Sequence, residues 1–129
     1  MRKLEALADS IVNFSGAQDP SSAAYQARNP GALRAFSPKH SKDKTGLRVF
    51  KSWLDGYQAL LFDLQIKCAG KSTFKQISAT SNLSQLSVSL GMSASTGRYL
   101  AKFLRQALAD ETITDTTPIS YFHETPEAQ

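Results

Sequence analysis

The sequence predicts a mainly α fold, formally α+β because of one small two-stranded hairpin. Three segments place apolar residues at helical spacing: residues 3–14, the stretch between Ser52 and Gly70, and residues 96–109. Two short segments share an apolar–basic–apolar pattern and predict strands: 32–36 and 46–50. Since 129 residues can form one sizeable core, we expect a single domain over 1–129.

The first predicted helix is amphipathic and has a clear stop signal. Leu4, Leu7, Ile11 and Phe14 recur every three or four residues. Gly16 can adopt the left-handed conformation in which helices often end. Prolines and small polar residues fill 17–31, which therefore predicts a loop.

The predicted hairpin carries the densest positive charge of the chain. Its connection, "SPKHSKDKT", is rich in turn formers and contains Lys39, Lys42 and Lys44. Such a run forms either a solvated loop or a contact surface for an anionic ligand, and both interpretations stay open.

The second half of the chain predicts further helices. Ser52 and Asp55 form a capping-box-like start, and the apolar residues that follow lie almost all round the helix, which predicts a central buried element. Thr73 and Gln76 predict the start of a short helix. The stretch "NLSQLSVSLGMS" fits a helix somewhat better than a strand. Residues 112–129 predict an extended C-terminal tail.

Composition narrows the classes of chemistry. The net charge of +4 favours anionic partners such as nucleic acid, cell-wall polymers or a membrane surface. The single cysteine, Cys68, rules out an intramolecular disulfide, and two distant histidines give no metal-binding spacing, so we expect no metal or cofactor. No apolar run is long enough for a membrane span, and the N-terminal stretch lacks the pattern of a signal peptide.

Two sequence patterns suggest nucleotide or DNA binding. "AGKST" ends like a phosphate-binding loop but lacks that loop's first glycine and its preceding strand, so we set it aside. Residues 73–105 contain a short helix, a turn and a basic helix, an order typical of helix-turn-helix proteins. A basic DNA-binding module is therefore an alternative function.

Four further stretches, in the same order, resemble a lysozyme-like family of phage and bacterial proteins, the muramidases and lytic transglycosylases. They are "RNPGALR", "GLRVFKSWLDGYQALLFDL", "GKSTFKQI" and "STGRYLAKFLRQALADETITDTTPI". The resemblance covers nearly the whole chain. It implies a small α-rich fold that acts on the glycan strands of peptidoglycan, at the bacterial cell wall or in a virion.

The family's catalytic glutamate falls on Ser15, and a serine hydroxyl cannot act as the general acid that glycoside cleavage requires. Ser15 is then a natural loss of the acid, a deliberate replacement of it, or a serine that ends the helix through its own hydrogen bonds. Asp9 and Asp19 are weak candidates for a substitute acid.

The resemblance implies a sugar-binding groove between the end of the first helix, the 25–36 loop and the hairpin. Its expected substrate-binding residues are Tyr25, Asn29, Arg34, Phe50 and Tyr57. We therefore expect the chain to bind peptidoglycan glycan strands, while cleavage needs an acid that position 15 lacks. A non-catalytic virion or assembly component is a further alternative.

Overall fold

The computed structural model describes residues 2–34, 39–72 and 77–123, and these are mainly helical. The elements are α1 (Lys3–Phe14), α2 (Ala23–Gln26), α3 (Trp53–Cys68), α4 (Leu83–Ser89), α5 (Thr96–Leu108) and a 3-10 helix (Ile119–Phe122). The helices predicted in the first, middle and last thirds of the chain are confirmed. The short helix expected from Thr73 and Gln76 lies outside the described residues.

The core forms where α1 meets α5 and α3, and where α4 meets α5. Leu7, Ile11, Leu60, Leu64, Leu86, Leu100, Leu104 and Phe122 are among its fully buried side chains. Gly97 allows α4 and α5 to approach closely, because a Cβ there would lie 2.6 Å from Ser84 Oγ. The apolar stripes that the sequence shows on these helices therefore face one another.

The predicted two-stranded hairpin is reduced to isolated bridges in the described residues. Arg34 bridges Leu47 and Lys42 bridges Arg48, both antiparallel. The Leu33 carbonyl accepts the Arg48 N–H at 3.0 Å across the pair, but the Phe50 N–H donates to the Ala27 carbonyl at 2.9 Å. The carbonyls of Leu33 and Arg48 also accept hydrogen bonds from the side-chain amide of Asn29, each at 2.8 Å. Backbone groups of both predicted strands are thus bound to a third segment. Residues 35 and 36 of the first expected strand lie outside the described residues.

The expectation that the central helix is buried all round is wrong. Leu54 and Phe62 of α3 are 62% and 65% exposed. The buried residues of α3 are Gly56, Leu60, Leu64, Lys67 and Cys68, which lie on one side of the helix. The opposite side of α3 is therefore a surface, although much of it is apolar.

The segment after α5 packs onto the core. Ile113, Ile119 and Phe122 are completely buried, and the backbone N–H of Ile119 donates to the Ser81 carbonyl at 2.7 Å. The Tyr121 hydroxyl donates to Asp110. The described part of the expected tail, up to residue 123, thus includes the 3-10 helix and contributes three core side chains.

Candidate functional site

The end of α1 is tied to the Asn-Pro-Gly loop through Ser15. This residue is the C-cap of α1, and its backbone N–H still donates to the Ile11 carbonyl at 2.8 Å. The half-buried Ser15 Oγ donates to the Pro30 carbonyl at 3.0 Å and accepts the Ala17 N–H at 3.3 Å. Ser15 therefore joins the end of α1 to the Asn-Pro-Gly loop.

The same loop rests directly on α3. A Cβ on Gly56 would overlap the Arg28 carbonyl oxygen and lie 2.8 Å from Pro30 Cδ, and a Cβ on Gly31 would lie 2.5 Å from Leu60 Cδ1. Only glycine fits at either position without displacing a neighbour. Gly31 of "RNPG" and Gly56 of "LDGYQAL" thus both allow the loop to lie directly against α3.

Asn29 supports the backbone around the site and does not line the site itself. Its side chain is fully buried, and both Nδ2 hydrogens are engaged by the carbonyls of Leu33 and Arg48. Its Oδ1 accepts the Leu33 N–H at 2.9 Å. A side chain with all these groups satisfied positions the backbone around it, and its amide hydrogens are not free to bind a ligand.

The expected aromatic residues lie in three different environments. Tyr25 is 44% exposed, and its ring centroid lies 6.3 Å from that of Trp53. Phe50 is 8% exposed, and the Arg48 guanidinium lies 4.6 Å above its ring.

Tyr57 links α3 to α1, because its hydroxyl donates to Asp9 Oδ1 at 2.6 Å. Burial, and then the hydrogen bond and charge of Asp9, raise the pKa of Tyr57 well above its ordinary value. The phenol therefore stays protonated and serves as a donor.

A trough runs along the outer side of α3, next to residues 39–51, which we call the basic segment. Two cavities of about 360 and 510 Å³ adjoin there, and both are lined by His40, Arg48, Gln58 and Ala59. We call them together the α3 trough. Its helical wall continues through Phe62 to Ile66.

The α3 trough is mixed in character. Its described cationic lining residues are Arg34, Lys39, Arg48 and Lys51, and its described carboxylates are Asp55 and Asp63. The helical wall between Asp55 and Ile66 spans ~16 Å at the rise of an α-helix. The trough thus offers an elongated surface with positive charge on the side of the basic segment.

A third cavity, of about 330 Å³, extends the trough toward α4. It shares Leu33, Arg34 and Asp63 with the trough and reaches Lys67 and Val88. Lys67 is only 4% exposed, and its Nζ lies 2.7 Å from Asp63 Oδ2. The cavity wall therefore includes an ion pair whose lysine is buried and whose aspartate is partly exposed.

The structure distributes the expected site residues over two places. Arg34 and Phe50 line the α3 trough, whereas Ser15, Tyr25 and Tyr57 are not among its lining residues. Gln58 and Phe62, which sequence reasoning did not select, do line it. Their signal was present, because positions 55, 58, 59, 62, 63 and 66 share one helical side opposite the buried leucines.

None of the candidate acids combines the expected position with the expected chemistry. Hydrogen bonds from the backbone N–H and then the hydroxyl of Ser21 hold the pKa of exposed Asp19 below its ordinary value, so this carboxyl stays ionised. Asp9 accepts the Tyr57 hydroxyl. Burial raises the pKa of the Cys68 thiol to about 12, which makes it inert as a nucleophile.

Within the described ranges, no three His, Cys, Asp or Glu side chains come together as a metal site would require. No helix in the described part of the chain has the length and apolar character needed to cross a membrane.

Comparisons with protein-family models, with curated proteins and with solved structures find no match for this chain. Any functional conclusion therefore depends on the residues and contacts described above.

Proposed function

We propose that this chain is a lysozyme-like protein that binds the glycan strands of peptidoglycan without cleaving them. The observation that carries the proposal is the 3.0 Å hydrogen bond from Ser15 Oγ to the Pro30 carbonyl. It joins the position of the family's catalytic glutamate to the Asn-Pro-Gly loop, as the resemblance requires. The close contact of this loop with Gly56 adds a third motif to the same region.

The environment of position 15 would suit a proton donor. It lies at the C-terminal end of α1, where the helix dipole disfavours a negative charge. It also faces the Pro30 carbonyl at 3.0 Å, which can only accept a hydrogen and therefore favours the protonated form of a carboxylic acid. The Ala17 N–H, which favours the charged form, lies farther away at 3.3 Å. A glutamate placed here would have a raised pKa, as a general acid for glycoside cleavage needs. With serine, the same environment holds the loop and supplies no acid.

The α3 trough provides the surface for a glycan strand. It is elongated rather than round, and the exposed Phe62 ring gives an apolar face against which a sugar ring can pack. Arg34 and Arg48 can attract the carboxylates that peptidoglycan carries on its peptides. The elongated trough therefore suits the shape of a glycan strand, and its positive charge suits the carboxylates of the attached peptides.

The alternatives have weaker support. In α5, which would serve as the recognition helix of a DNA-binding module, the Arg98 side chain lies 3.9 Å from Asp115. Arg105 donates to the Ile113 carbonyl at 2.8 Å. Two of the basic side chains of this helix thus have partners within the chain. The role of a virion or assembly component stays a prediction.

The first test separates binding from cleavage. The intact protein is incubated with purified peptidoglycan, and both the pelleted protein and the soluble muropeptides are measured. We expect pelleting without release. Phe62→Ala should weaken pelleting, while Leu54→Ala, an equally exposed apolar residue of α3 outside the trough lining, should not. Absence of pelleting, or equal effects of the two variants, would contradict glycan binding in the trough.

The second test concerns position 15. Ser15 does not line the α3 trough, so cleavage requires a bound strand to extend from the trough to the end of α1. For such a strand, Ser15→Glu should release muropeptides, because it restores a carboxylic acid in an environment that keeps it protonated. Ser15→Gln has the same shape but no acidic proton, so it should stay inactive. If the folded Glu variant releases no more than the Gln variant, the assignment of position 15 is wrong.

A further inference from the structure

The cavity between α3 and α4 has the character of a small-molecule site. Its volume of about 330 Å³ falls in the usual range for ligand pockets. Leu33, Leu47, Ile77 and Val88 give it an apolar wall. We call it the Lys67 cavity, after the buried cation that lies in that wall.

The ion pair in this wall joins residues one turn apart on α3. Lys67 is 4% exposed and its Nζ lies 2.7 Å from Asp63 Oδ2, while the Asp63 side chain is 27% exposed. The cost of desolvating the lysine offsets much of its attraction to Asp63, so the pair adds little to stability. Polar groups that converge in an otherwise apolar cavity are typical of ligand-binding sites, where they fix the ligand's orientation.

The charge of the lining selects the ligand. Lys67 and Asp63 neutralise each other, so the described lining carries the net positive charge of Arg34. Arg34 lies where the cavity meets the α3 trough, and its Nη1 donates to the Thr45 carbonyl at 2.7 Å. A guanidinium held in this way presents a planar fork that matches a carboxylate.

We propose that the Lys67 cavity binds a free aliphatic monocarboxylate. The carboxylate contacts Arg34, and the hydrocarbon body lies against the apolar wall. The cavity holds about eleven times the volume per molecule of liquid water, which accommodates an acid of the size of hexanoate. The Lys67 cavity shares Arg34 with the proposed glycan site, but its ligand and its assay are separate, so either proposal can fail while the other holds.

A series of straight-chain acids from acetate to octanoate tests the apolar wall. Binding to the intact protein is measured by calorimetry and by NMR shifts of residues around the cavity. Affinity should rise about fourfold per added methylene until the cavity is filled. Hexanol should bind about tenfold more weakly than hexanoate, because it lacks the charge that pairs with Arg34. Equal binding of acid and alcohol, or no saturable binding across the series, would overturn the proposal.

Charge reversal tests the role of Arg34 in a way that loss of folding cannot imitate. Arg34→Glu should bind hexylammonium in preference to hexanoate, reversing the selectivity of the natural chain. Arg98→Glu makes the same change at an exposed position of α5, outside the cavity lining, and should keep the preference for hexanoate. If Arg34→Glu retains that preference, or both variants lose it alike, Arg34 does not select the ligand.

Discussion

Replacing Asn29 by aspartate tests the assignment of this residue to the framework of the site. Both Nδ2 hydrogens of Asn29 donate to backbone carbonyls at 2.8 Å, and the side chain is fully buried. Asn29→Asp has the same shape but replaces the amide nitrogen with an oxygen. That oxygen would lie against the two carbonyl oxygens, and none of these three oxygens can donate a hydrogen when the carboxyl is ionised.

The expected loss of stability is large. The Arg48 carbonyl would lose its donor, which costs about 1–3 kcal/mol, while the Leu33 carbonyl would keep the Arg48 N–H at 3.0 Å. Because the new carboxylate is also buried against these carbonyls, we expect a loss of about 3 kcal/mol at pH 7. The whole free energy of unfolding of a domain is about 5–15 kcal/mol. The melting temperature should accordingly fall by about 15 °C.

The loss should depend on pH with a defined sign. Burial and the facing carbonyls would raise the folded-state pKa of the new carboxyl above its unfolded value of about 3.9. The protonated acid can donate one hydrogen bond, so the deficit relative to the natural chain should be smallest below about pH 4, where the carboxyl is protonated in both states. It should grow as the pH rises from about 4 to the folded-state pKa and stay constant above it. Asn29→Ala has no group that titrates and should show a deficit independent of pH.

The assay is chemical denaturation at pH 4 and pH 7, with the natural chain measured at each pH. Asn82→Asp is the matched control, because Asn82 is the N-cap of α4 and accepts the Gln85 N–H. A carboxylate suits that position, so we expect a change within about 0.5 kcal/mol. If the free energy of unfolding of Asn29→Asp at pH 7 lies within 1 kcal/mol of that of the natural chain, the amide of Asn29 does not hold the loop as described.

Three further predictions concern the framework. Gly56→Ala should destabilise the chain by about 3 kcal/mol in denaturation experiments, because the new Cβ would overlap the loop that rests on α3. Gly16 has a φ of +79° and open space around it, so Gly16→Ala should lose only about 1 kcal/mol. Tyr57→Phe should lower the free energy of unfolding by about 1–2 kcal/mol, since it removes the hydroxyl that joins α3 to α1. Hydrogen bonds from the Thr45 hydroxyl, and then from nearby backbone N–H groups, lower the pKa of Asp43. The contribution of Asp43 to stability is therefore lost as the pH falls below about 4. Asp43→Asn should flatten that decline in denaturation experiments at successive pH values.

Each of these expectations has an outcome that contradicts it. Equal losses for Gly56→Ala and Gly16→Ala would mean that the loop does not rest on α3. An unchanged Tyr57→Phe variant would mean that the hydrogen bond to Asp9 adds nothing to folding. If Asp43→Asn keeps the full acid-induced decline, other carboxylates are responsible for it.

The helices could be predicted from the sequence because their signals are local. Residues 3–14 form α1 with the predicted bounds, and Ser52 caps α3 by accepting the Asp55 N–H at 3.1 Å. The four-residue α2 was missed. A helix this short depends on its Ser22 cap and on the loop beneath it rather than on any periodic pattern.

The hairpin and the trough could not be predicted in the same way because they depend on tertiary contacts. The two segments with strand-like patterns do not continue as a ladder beyond Arg48, because the next two N–H groups donate to the carbonyls of Ser41 and Ala27. The apolar residues of α3 predicted burial all round, but the fold covers only one side of that helix. Nor does the sequence alone show that Arg34 lies beside the pair of Lys67 and Asp63.

Cys68 gives this protein a built-in reporter of its own opening. The thiol is 1% exposed at the last turn of α3, and it is the only sulfhydryl of the chain. An alkylating reagent can modify it only in molecules that have transiently opened around the core. When the core recloses faster than the reagent reacts, the rate of alkylation therefore measures the population of open molecules.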